Sequence, residues 1–325
     1  MTRAVWPWLR VLIGAGILAV LLWRLGTTAF LDGLRVIDAP AVLAALAIGL
    51  VTTVAGAARW CLVLRRLGVR LPLRTAVADC YRAVFLNMVL PGGVLGDVHR
   101  AVRHGQSSGD VARGVRAVAI ERSGGQVVLT AAGVAVLCAR PSIVVAAGRH
   151  LVTPVPVAIV CVLVLAVLAG IRWGRRTAVW GRVVTPVLTD VRRGLLARDT
   201  WPGVMALSAV GLTGHVTLFL IAARVAGSSA PFSQLLPLII LALFAMGLPV
   251  NIGGWGPREG VSAWAFAAAG LGAAQGVTVA VVYGVLAFVT GLPGAGVLIL
   301  RYLARPKVQL EEQVLTEDEA PRRSA

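Results

Sequence analysis

Followed for where apolar runs begin and stop, the chain divides into long hydrophobic segments separated by short arginine-bearing ones. Six runs have the length a bilayer span needs, about 20 residues: roughly 9–24, 41–58, 116–138, 151–171, 203–223 and 277–300. Two more, 76–91 and 235–250, end at a Pro-Gly break, and the segments after them, 95–104 and 258–270, read as returning arms. The pattern predicts an all-α polytopic membrane protein with about six full spans and two re-entrant hairpins. Residues 1–304 form one transmembrane domain. Residues 305–325 are too acidic and polar to bury a core and read as a disordered cytoplasmic tail.

The two breaks resemble each other. Both begin Met-X-Leu-Pro, at Met88 and Met246, and both cross glycines before charge returns. The first contains Pro91, Gly92, Gly93 and Gly96 and leads to Asp97 and Arg100; the second contains Pro249, Gly253, Gly254, Gly256 and Pro257 and leads to Arg258 and Glu259. Irregular backbone survives at membrane depth only where protein buries it or water reaches it. Paired breaks in the two halves of a chain point to a transport site.

Loop charge orients the spans. Residues 58–74 carry Arg59, Arg65, Arg66, Arg70 and Arg74; residues 100–116 carry Arg100, Arg103, Arg113 and Arg116; residues 172–202 carry seven arginines. The alternate loops hold only Arg35, then Arg140 and Arg149, then none in 225–234. The positive-inside rule therefore places both termini in the cytoplasm of a cell whose inner membrane holds the chain. With neither broken segment crossing fully, one hairpin enters from the cytoplasm and the other from outside, which makes them an inverted pair.

Composition agrees: 58% of residues are hydrophobic and 14% charged. The net charge of +17 sits in short loops between spans, which argues against nucleic acid as a partner. The first run, with Arg3 and Arg10 before it, reads as an uncleaved span rather than a signal peptide. Cys61, Cys80, Cys138 and Cys161 lack metal or redox spacing and read as small apolar residues, so no metal and no cofactor is expected. No H-E-x-x-H, G-x-S-x-G or P-loop pattern is present, and no catalytic residue is assigned.

Charges inside apolar segments cost about 2.5–3.5 kcal/mol each to insert and are functional candidates for that reason. Asp97 and Arg100 share one helix face; Glu121 and Arg122 open a span; Arg258 and Glu259 follow the second break. Pro257 suits a first helical turn, so a helix starting there would aim its N–H groups and the Arg258 charge at an anion such as a lipid phosphate. Asp79 and Arg82 read as interfacial, and His215 as a hydrogen-bonding group between helices.

These residues carry a resemblance to the lysylphosphatidylglycerol synthase transmembrane-region, or flippase-like, membrane proteins. That family shows Pro followed by G-E-x-x-R, matched by Pro91, Gly96, Asp97 and Arg100; a Glu-Arg pair, matched by Glu121-Arg122; and P-x-x-x-G-G-x-G-x-x-E, matched by Pro249, Gly253, Gly254, Gly256 and Glu259. Tyr283 and Pro293-Gly294 match its last span. Asp97 departs from the usual Glu, Asn251 from a Pro and Gly284 from a His. The resemblance implies a lipid flippase rather than an enzyme, moving a phospholipid or polyprenyl-linked glycan precursor, with Asp97, Arg100, Glu121, Arg122, Arg258, Glu259 and Tyr283 binding it. No aminoacyltransferase domain is expected. The alternative is a non-transporting accessory subunit of an envelope glycosyltransferase or lipid synthase.

Overall fold

A computed structural model describes residues 35–90, 93–107, 109–139, 189–190, 197–247 and 255–303. The expected spans 9–24 and 151–171, the tail, and Pro91, Gly92, Pro249, Asn251, Gly253 and Gly254 lie outside these residues. The described chain is helical: α1 Ala39–Arg66, α2 Leu73–Val89, α3 Leu95–Ser107, α4 Val111–Ala139, α5 Trp201–Val225, α6 Phe232–Met246, α7 Pro257–Ala268 and α8 Ala273–Leu303. Of these, α1, α5 and α8 are long and apolar enough to cross a membrane, and α6 is a shorter apolar helix. In α4 the charges Arg113, Arg116, Glu121 and Arg122 fill the first half, and the apolar run follows them.

Local chemistry fixes the ends. Asp38 caps α1 by accepting from the Ala41 N–H at 3.0 Å, with Pro40 in the first turn and Arg65 and Arg66 against the negative end of the helix dipole. This helix does not stop at 58 as the apolar run suggests. Trp60, Val63 and Leu64 continue its buried face for two more turns, so Arg59 belongs to the bundle rather than to a loop. Both broken segments end as expected, α2 at Val89 and α6 at Met246, and both chains resume as helices.

Lengths repeat. The first four helices have 28, 17, 13 and 29 residues and the second four 25, 15, 12 and 31. Packing repeats too. The pairs α2 on α3 and α3 on α4 match α6 on α7 and α7 on α8; α1 on α2 and α1 on α4 match α5 on α6 and α5 on α8. The cross-contacts α2 on α8 and α1 on α8 match α6 on α4 and α5 on α4, with α1 on α5 at the centre. Gly114 and Gly276, each the fourth residue of its helix, show the same device. A Cβ at Gly276 would lie 2.8 Å from the Ser262 carbonyl carbon of α7, and one at Gly114 would strike the Ala101 carbonyl of α3.

The hairpins enter from opposite ends of α8. Gln234 at the start of α6 donates to the Ala269 carbonyl at 3.2 Å, closing the second hairpin just before α8 begins. Arg103 of α3 and Arg301 in the last turn of α8 both reach Asp79 of α2, so the first hairpin opens where α8 ends. The repeat is inverted, as the loop charges imply. Ion pairs also gather the arginine-rich segments at that end: Arg66 with Asp199, and Arg116 with Asp190 at 2.6 Å.

The two larger of three apolar clusters among the described residues hold most of the bundle. One joins α5, α6 and α8 through Leu218, Phe219, Leu235, Ile239, Val282 and Leu286; the other sets Trp60, Val63 and Leu64 against Ala76, Ala117 and Ile120. Buried alanines recur in both, as close helix packing in lipid requires, because lipid tails remove most of the hydrophobic drive for association.

Candidate functional site

Residues beside both breaks line one cavity of about 300 Å³. Its wall takes residues from all eight helices, α6 through its last residue Met246 and α7 through Arg258, as well as Gly93 and Trp255 beside the breaks. Six of the seven candidate binding residues line it: Asp97, Arg100, Glu121, Arg122, Arg258 and Tyr283. Glu259 lies behind the wall, fully buried, and holds Arg258 in place.

The first half contributes a chain of charges. Arg100 is central: Nη2 donates to Asp97 Oδ1 at 2.8 Å and to Glu121 Oε2 at 3.0 Å, and Nη1 to Cys80 Sγ at 3.1 Å. Its guanidinium lies 4.5 Å over the Trp60 ring, a cation–π contact. The other oxygen of Glu121 accepts from Arg59 Nε at 2.9 Å, and Arg59 Nη1 donates to Ser208 Oγ at 2.8 Å. Asp97 is completed by Arg122 and by Asn87 Nδ2 at 2.8 Å, while Asn87 Oδ1 accepts the Gly96 N–H at 2.7 Å and so caps the entry to α3. The result is an alternating sequence, Arg59–Glu121–Arg100–Asp97–Arg122. All but its last member are at least four-fifths buried; the Arg122 side chain is 57% exposed.

The second half contributes a shorter cluster. Arg258 donates to Glu259 through Nε at 2.9 Å and through Nη2, and lies 5.1 Å from the Trp255 ring and 5.2 Å from the Tyr283 ring. Glu259 also turns back to accept the Gly256 N–H at 2.7 Å. This corrects the expectation of an open anion site at the Pro257 helix end. The chain's own carboxylate occupies that end and takes the Arg258 charge, because a Glu at the third helical position reaches the N-terminal N–H groups. Tyr283 stacks on Phe219 with centroids 4.5 Å apart, and its hydroxyl meets His215 Nδ1 at 3.1 Å. His215 thus makes the interhelical bond expected of it, at the cavity wall.

Gly284 explains one departure from the family pattern. A Cβ there would lie 2.9 Å from the Trp255 ring and would also strike Arg258. The space of a side chain at 284 is filled by Trp255 and Arg258 instead.

Arg59, Asn87, Ser208 and Trp255 were not among the sequence candidates. Only Arg59 left a signal, since Trp60, Val63 and Leu64 extend the helical period past it. No group of three or more His, Cys, Asp or Glu among the described residues is placed to hold a metal ion.

A family model described as the lysylphosphatidylglycerol synthase TM region matches residues 8–294. The matched span includes every residue that lines the cavity. No curated protein and no solved structure matches the chain.

Proposed function

Because the chain belongs to the family of the lysylphosphatidylglycerol synthase TM region, we propose that it is a lipid flippase in which an anionic headgroup crosses the inner membrane through this cavity. Charge carries the reading. Arg59, Arg100, Arg122 and Arg258 face three carboxylates, Asp97, Glu121 and Glu259, leaving one positive charge over. A surplus cation in a low-dielectric wall attracts a phosphate far more strongly than it would in water. Arg122 is the most exposed of the four, and it shares Asp97 with Arg100 and Asn87. A phosphate arriving at the cavity can therefore take Arg122 from Asp97 without stranding the carboxylate. Arg258, with Trp255 and Tyr283, forms the wall that meets the headgroup next. The substrate is a phospholipid or a polyprenyl-linked lipid, both termini are cytoplasmic, and the partners are envelope enzymes that make or use that lipid.

The closed run of ion pairs favours a second reading, an accessory subunit of a glycosyltransferase or lipid synthase whose charges only brace helices. Reconstitution separates the two. In proteoliposomes with fluorescent phosphatidylglycerol, dithionite should bleach the inner-leaflet label faster with wild-type protein than with Arg122→Gln, while both elute as the same monodisperse species. Equal bleaching by wild type and empty vesicles would reject transport and leave the accessory reading.

A further inference from the structure

The charges that the central cavity does not use collect at the base of the first hairpin. Asp79 accepts from Arg82 one turn along α2, from Arg103 of α3 at 3.4 Å, and lies 3.7 Å from Arg301 of α8. Three guanidiniums around one carboxylate leave two positive charges over. Asp79 and Arg82 are buried, and the Arg82 Nε–H has no hydrogen-bond partner. Arg103 and Arg301 keep 45% and 38% of their side-chain surface exposed.

The inverted repeat supplies a comparison within the molecule. Anchored on the shared Met88 and Met246 breaks, Asp79 and Arg82 correspond to Pro237 and Ile240; anchored on the Gly114 and Gly276 contacts, Arg103 corresponds to Trp264 and Arg301 to Ala139. The same packing of helices is thus built in the other half with no charge at these four positions. The architecture does not require the arginines, and their mutual repulsion opposes it.

Beside them, Ile299, Leu300, Tyr302 and Leu303 leave the end of α8 apolar and exposed. A surplus of arginine next to an exposed apolar helix end and a tyrosine is the pattern of a membrane interface. We propose that this cluster is a docking site for the phosphate of an anionic lipid, at the membrane face where the arginine-rich segments gather. Arg103 and Arg301 hold the phosphate oxygens, Arg82 keeps Asp79 neutralised behind them, and the acyl chains lie along the end of α8. Basic pockets between membrane helices take lipid headgroups in this way. The two long walls of this site, α2 and α8, also supply Val84, Met88, Phe288 and Thr290 to the central cavity, so a lipid held here waits beside it. The site does not depend on transport through that cavity.

A phosphatidylglycerol carrying benzophenone on its headgroup tests the assignment in nanodiscs of phosphatidylcholine with the full-length chain. Adducts should map to the peptides of α3 and of the end of α8. Arg103→Gln/Arg301→Gln, which leaves the buried Arg82–Asp79 pair intact, should reduce them about thirtyfold if each arginine contributes as an interfacial arginine does. Arg122→Gln in the central cavity should leave them unchanged even if it abolishes transport. Adducts that survive the double variant, or that vanish in Arg122→Gln, overturn the site. Displacement of the lipid by millimolar inorganic phosphate would reassign the cluster to free phosphate and overturn the lipid.

Discussion

Glu121→Gln removes one negative charge from the middle of the cavity and keeps the shape of the side chain. Glu121 is the carboxylate that two arginines share, with Arg59 on Oε1 and Arg100 on Oε2, and side-chain exposures of 3% for Glu121, 14% for Arg59 and 4% for Arg100. Breaking a buried pair by removing one partner costs about 3–5 kcal/mol, because the remaining charge stays desolvated. Both arginines keep a second acceptor, Ser208 for Arg59 and Asp97 for Arg100, so the lower end applies, about 3 kcal/mol. At about 2.1 cal/mol/K of unfolding entropy per residue, 325 residues turn that into a fall in melting temperature of roughly 4–5 °C. Thermal melts followed by size-exclusion in one detergent measure it. A cycle with Arg59→Gln tests the mechanism. Once Glu121 is neutral, removing Arg59 should cost less than it does in the wild type, since its partner has already gone. A Glu121→Gln protein melting within a degree or two of wild type, or a strictly additive cycle, would refute the coupled network.

Gly284→His should destabilise the fold by the 1–3 kcal/mol of an overpacked wall, and Trp255→Ala in the same chain should recover most of the loss; equal melts for the single and double variants would show that Trp255 does not fill that space. Topology is open to thiol labelling. A cysteine at Ser229 should react with impermeant reagent from outside intact cells and one at Arg70 only after the inner face is exposed, with the opposite pattern refuting the orientation.

The helix pattern was legible because it is local. Apolar runs place α5 and α8 within a few residues, and the Met-X-Leu-Pro motifs mark where α2 and α6 stop. The inverted pairing of the hairpins was legible too, since alternate loop charge constrains which end each one enters. What the sequence withheld is which charges neutralise which. Arg59 finds Glu121 across 62 residues and Ser208 across 149, and nothing periodic connects them. Arg258 shows the reverse: its partner is the adjacent residue, yet reading it as an open anion site overlooked that Glu259 can turn back over the helix end. Asp79 and Arg82 look like a local pair in sequence and become a cluster only when α3 and α8 bring in Arg103 and Arg301.

If a headgroup crosses through the cavity, its surplus arginine also decides what may not follow. A passage wide enough for a phosphate is wide enough for sodium, potassium or a chain of waters carrying a proton, and any of these would discharge the gradients that an energised membrane lives on. Fixed positive charge beside the path raises the energy of a cation or hydronium ion there, as an arginine does in a proton-excluding water pore. Arg59, held by Glu121 and Ser208, and Arg100, held between Asp97 and Glu121, would stay at the wall when Arg122 moved to meet a phosphate. On the flippase reading, the charge that would invite the lipid would also repel a cation on the same path.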